Sequence, residues 1–71
     1  MKRYVISRKV GKRIRVFRRK NKLTQEEVSE KSRIHVPTLG RIERGESNPP
    51  LQTINKIAQA MKVKLNKLFD F

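Results

Sequence analysis

The sequence predicts an all-α fold, a compact bundle of five helices, on three observations. Apolar residues recur at helical spacing over residues 10–21, 36–44 and 51–61. Residues 24–45 carry the start and stop signals of two short helices separated by a corner. The 71 residues include no cysteine, so no disulfide or thiolate metal site staples the fold and helix packing must form the core. A chain this short buries only about 60% of the surface it exposes when unfolded, so stability should be modest and association would help.

Residues 1–9, MKRYVISRK, place an apolar Tyr4-Val5-Ile6 triplet between two basic pairs. They read as a basic N-terminal arm or a short strand ahead of a single domain spanning residues 10–71. Within that domain Val10, Ile14 and Phe17 stand at i, i+4 and i+7, giving helix one an apolar face. Nearly everything else there is Lys or Arg; Ser7 is the candidate cap, and Val16 falls off the face with no assigned partner.

Thr24 is a good N-cap, and Glu27 three residues on completes a capping box, so helix two should run over residues 25–32. Its one large apolar side chain is Val28, and small Ser29 and Ser32 let another helix come close. Pro37 is tolerated in a first turn, so helix three should start near Val36 and stop before Gly45, a natural C-cap. Leu39 and Ile42 then face inward, leaving Val36, Pro37, Gly40, Arg41 and Arg44 outside. Two helices meeting at a three-residue corner, the second with a polar and basic edge, are what a major-groove reader needs.

Residues 46–50, ESNPP, cannot be helical at their centre and form a loop. Helix four over residues 51–61 aligns Leu51, Ile54, Ile57, Ala58 and Met61 on one face, with Gln52, Asn55, Lys56 and Gln59 outside. A short last helix should bury Val63, Leu65 and Leu68. Phe69 and Phe71, with Val63 beside them, exceed what so short a helix buries and predict a two-fold contact between copies.

Nineteen Lys and Arg against six Asp and Glu give a formal charge of +13, which argues for a polyanionic partner. The excess is N-terminal: residues 1–22 hold eleven basic residues and no acid, while residues 23–46 hold five of the six acids. No apolar run approaches the ~20 residues of a membrane span, and no secretory signal is present, so a cytoplasmic protein is expected. Neither metal, cofactor nor small-molecule ligand is expected, because a lone His35 cannot build a metal site and no Ser/His/Asp or Cys/His set is available. Asp70 is the only aspartate, which argues against an enzyme.

In TQEEVSEKS, TLGRIERG and NPPLQTINKIAQAMKVKLNKLF the chain resembles the Cro and phage-repressor type of helix-turn-helix protein, over residues 10–69. The resemblance implies a lambda-repressor-like five-helix bundle with the motif at helices two and three. It also implies a sequence-specific regulator of transcription, a repressor, reading a two-fold operator in double-stranded DNA as a homodimer. It implies further that Arg18 pairs with Glu43, tying helix one to the end of helix three. The family often has glycine where this chain has Lys22 and Arg33, and serine or threonine where it has His35. Asn21 is an alternative for the first corner.

Among positions matching the family's contacts, Arg41 can donate a bidentate pair to guanine, and Val36 and Pro37 can touch a thymine methyl. Thr38 can do either, and Gly40 leaves room for the groove wall or for Arg41 to bend. Backbone contacts are expected from Thr24, Gln25, His35, Arg44, Ser47 and Asn48, joined by Lys12, Arg13 and Lys20 from the basic helix. Lys2 and Arg3 of the arm are further candidates for phosphates or the minor groove. A dimer neutralising roughly eight phosphates would give log K a slope near −7 against log salt. A sequence-tolerant nucleic-acid binder accounts for the charge equally well. An antitoxin subunit gripping a protein partner suits the apolar C-terminus, and both stay open at this point.

Overall fold

The computed structural model describes residues 4–71, so Lys2 and Arg3 lie outside the described residues. It contains α1 (Val5–Lys20), α2 (Gln25–Ser32), α3 (Val36–Arg44), α4 (Leu51–Ala60) and a closing 3-10 helix (Leu65–Phe69). Among the described residues the fold is all-helical as expected, but the fifth element is a 3-10 helix of 5 residues, so they form four α-helices and not five. None of these helices is long and apolar enough to cross a membrane.

α1 begins at Val5 and not at Val10, so residues 5–9 are helix and neither arm nor strand. Ile6 stands one turn before Val10 and extends its apolar face. The added turn packs on the loop after α3, where the Ser7 hydroxyl donates to Asn48 Oδ1 at 3.2 Å. Ser7 is therefore inside the helix and does not cap it.

The capping box of α2 forms in full. Glu27 N donates to Thr24 Oγ1 at 3.0 Å, and Thr24 N donates to Glu27 Oε1 at 2.8 Å. Farther along, the buried Ser32 hydroxyl donates to the Val28 carbonyl at 2.6 Å, and the Ser29 hydroxyl donates to the carbonyl of Ile34.

All four α-helices end in the same way, on a left-handed residue followed by a bond from the next amide back across the last turn. Those residues are Lys22, Arg33, Gly45 and Lys62, with φ of 59, 60, 73 and 57°. The closing bonds are Leu23 N to Arg18 O, Ile34 N to Ser29 O, Glu46 N to Arg41 O and Val63 N to Ala58 O, at 2.9–3.2 Å. Lys22 takes the first corner, and Asn21 stays at φ −88. A non-glycine residue here costs about 1–2 kcal/mol. At the three cationic corners the following Leu23, Ile34 or Val63 packs against the core, and the positive side chain complements the helix dipole.

The core is a single cluster of Val10, Ile14, Val28, Leu39, Ile42, Ile54, Ile57, Ala58, Ala60, Met61 and Leu68. α1 lies against α3 and the 3-10 helix, and α2 is seated between α3 and α4. Leu51, expected in the core, is 64% exposed because it opens α4 at the rim of the bundle; at the other end of α4 the core takes in Ala60. Gly11, in contrast, is buried where α1 crosses α3.

Candidate nucleic-acid interface

One buried carboxylate orders the candidate surface. Glu43, near the end of α3, accepts Arg18 Nε at 2.6 Å on Oε2 and Arg18 Nη2 at 3.1 Å on Oε1. The two side chains are 3% and 11% exposed. Arg18 Nη1 also donates to the Leu23 carbonyl at 2.9 Å, and Gln25 Nε2 donates to Glu43 Oε1 at 3.0 Å. The end of α1, the first corner, the start of α2 and the end of α3 thus share one charge-assisted network. It sets α3 at a fixed angle to the start of α2.

That network changes the expected role of Gln25. The side chain is half-buried and points its amide at Glu43, so it positions α3 more than it reaches for phosphate. Thr24 is exposed while its hydroxyl caps α2. Along the outer edge of α3, Pro37, Thr38 and Arg41 are exposed, Val36 is half-buried, and His35 is exposed ahead of them with no capping bond.

Gly40 is buried, which corrects its expected place on the outer side. A Cβ there would stand 3.2 Å from Arg44 Nη1 and 3.9 Å from Gln25 Oε1. Its lack of a side chain therefore makes space for Arg44 to fold across α3. Arg44 also meets Glu46 at 3.1 Å, but both are more than half exposed and such a pair contributes little. In the following loop the Ser47 Oγ is buried without a hydrogen-bond partner and does not face outward, while Asn48 is exposed.

The basic residues of α1 divide into two sets. Arg13 donates through Nε and Nη2 to the Lys67 carbonyl at 3.2 and 3.1 Å, and its guanidinium lies 5.0 Å from the centre of the Phe17 ring. Lys20 Nζ lies 6.0 Å from the same ring. Arg13 is thus turned to the 3-10 helix and Lys20 to the end of α4, and neither lines the grooves that border α3. Lys12 does, together with Arg8, Arg15 and Arg19, which the sequence reading did not single out. Their spacing, i, i+4, i+7 and i+11, is the signal that would have found them. Val63 and Phe69 are half-buried against the core; only Phe71 of the expected contact residues is exposed, at 54%, with Lys9 Nζ 5.4 Å from its ring centre.

A capped helix, a left-handed corner and a second helix with its N-terminal edge exposed among basic side chains define a helix-turn-helix DNA-binding domain. The helix-turn-helix family profile matches residues 14–68. The chain belongs to that family, in its Cro and phage-repressor branch, and is a DNA-binding transcriptional regulator. It is 39% identical over 59 residues to an HTH-type transcriptional regulator of Archaeoglobus fulgidus, covering 83% of this chain and 84% of that one. Over 59 residues it is 36% identical to the immunity repressor protein of Bacillus phage phi105, covering 83% of this chain but 41% of that repressor. The solved restriction-modification controller protein C.AhdI from Aeromonas hydrophila superposes with a TM-score of 0.90 at 32% identity, over 97% of this chain and 100% of that one.

Proposed function

We propose that the chain is a cytoplasmic repressor that binds double-stranded DNA as a homodimer and reads a two-fold operator with the exposed edge of α3. The observation that carries this reading is the pairing of a solvent-facing Pro37, Thr38 and Arg41 with a buried anchor, Glu43, on the same short helix. Two copies about 30 Å long suit half-sites roughly 34 Å apart. Self-association of a +13 chain needs a face poor in charge. Residues 47–61 hold one charged residue, Lys56, and the exposed apolar Leu51 of this segment, with exposed Ile6 beside it, supports a contact there. A catalytic role is not part of this reading, since Glu27, Glu43 and Glu46 all serve structural bonds.

Arg41→Ala should remove about 1–3 kcal/mol of discrimination at one base pair of each half-site. Binding to scrambled duplex should weaken much less. Sites selected from a random DNA pool by the wild type and the variant, then compared in competition, test this. Identical preferences, or no two-fold symmetry in the selected sites, would defeat the reading.

A further inference from the structure

We propose that Arg8, Lys12, Arg15 and Arg19 form a second phosphate-binding surface, which grips the duplex backbone outside the base pairs that α3 reads. This rests on the DNA-binding reading above and extends it to a part of the chain that precedes the helix-turn-helix unit.

Residues at i, i+4, i+7 and i+11 fall on one narrow stripe of a helix, and at 1.5 Å per residue the four span about 16 Å. Arg44 borders the stripe along two shallow grooves, one containing Arg8, Lys12 and Arg15, the other Arg15, Arg19 and Gln25. The stripe is thus continuous with the surface formed by the start of α2 and the end of α3. Glu43 lies at the floor of both grooves, but it is 3% exposed and already paired with Arg18.

Nothing in the free protein compensates these charges. α1 contains no acidic residue, and among the described residues the ion pairs are Arg18–Glu43 and Arg44–Glu46, neither of which includes a residue of the stripe. Like charges at i, i+4 repel and weaken a helix. Arg13 shows what a structural arginine on α1 looks like here, since its donors are bonded to Lys67 and its plane lies by Phe17. The four stripe residues have no such bonds. A protein partner is disfavoured because protein interfaces centre on a buried aromatic or arginine anchor and deplete lysine, whereas a phosphate backbone asks only for repeated exposed cations. The stripe advances in steps of about 4.5–6 Å, comparable with a phosphate for every 3.4 Å of rise on one strand.

The test compares the wild type with Arg15→Gln/Arg19→Gln on a selected operator carrying long or trimmed flanks, across a salt series. The variant should lose about 1.8 from the magnitude of the log K against log salt slope per subunit, with the ranking of base sequences unchanged. Trimming the flanks should weaken the wild type more than the variant, which keeps only Arg8 and Lys12 of the stripe. Arg13→Gln should keep the wild-type slope. Free of DNA and at low salt, the double variant should melt higher than the wild type, because repulsion along α1 is relieved. An unchanged slope, or an altered base ranking, would overturn the proposal, the former pointing the stripe toward an acidic protein surface instead. If the wild type ranked no sequence above another, the operator reading would fail, while the slope difference would still decide the stripe.

Discussion

Glu43→Ala should lower the melting temperature by about 15 °C or more. The substitution leaves the Arg18 side chain, 11% exposed, with its guanidinium facing an empty position, and it removes the acceptor of Gln25. Breaking one partner of a buried pair costs about 3–5 kcal/mol. A domain of this size has roughly 4–11 kcal/mol in total, so much of the population should be unfolded at 37 °C. Each kcal/mol corresponds to about 4–8 °C at this length. Arg18→Met/Glu43→Leu removes both charges together and should recover most of the loss, since apolar replacement of a whole buried pair is often close to neutral. Urea melts of both singles and the combined variant give the coupling directly. Additive losses would show that the two side chains do not act on each other.

Gly11→Ala is the second large effect, and its sign is opposite to the usual one. In an exposed helix interior this change gains about 1 kcal/mol. Here the new Cβ would stand 2.8 Å from the Glu43 carbonyl oxygen and closer still to that of Ile42, which itself accepts Gly45 N at 3.0 Å. Backbone oxygens held in a helix end cannot swing aside, so α1 and α3 must separate, and the Arg18–Glu43 bond is strained with them. The expected cost is about 3 kcal/mol, at the upper end for overpacking, or roughly 12–24 °C in melting temperature. Gly40→Ala is the control, because its neighbour is the movable tip of Arg44 at 3.2 Å. It should stay within about 1 kcal/mol of wild type. A Gly11→Ala protein as stable as wild type would mean that the α1–α3 crossing is looser than the geometry here.

What was legible in the sequence was what depends on near neighbours. Thr24 and Glu27 cap α2 through bonds three residues apart, and Gly45 ends α3, so spacing alone identifies both. The i, i+4, i+7 run of Val10, Ile14 and Phe17 found the right face of α1 but understated its length. Ile6 continues the run, yet its support comes from Pro49 and Asn48, more than forty residues away. Leu51 was misplaced because periodicity names a face and not where the core stops along it. The Arg18–Glu43 pair followed from family resemblance, whereas the third member, Gln25, emerges only when α2 and α3 are assembled. Arg13 and Lys20 were grouped with Lys12 on charge alone; their angular positions on α1 separate them.

The extra turn of α1 has a consequence for the loop that leaves α3. Gly45 sits so close to Arg8 that a Cβ would come within 2.6 Å of the Arg8 Cα; Asn48 is bonded to Ser7, and Pro49 lies beside Ile6. The prolines of that loop restrict it, but its shape is moulded on residues that a reader of the apolar pattern would discard as a tail. A polypeptide trimmed to Val10 would retain the predicted helices yet lose that template.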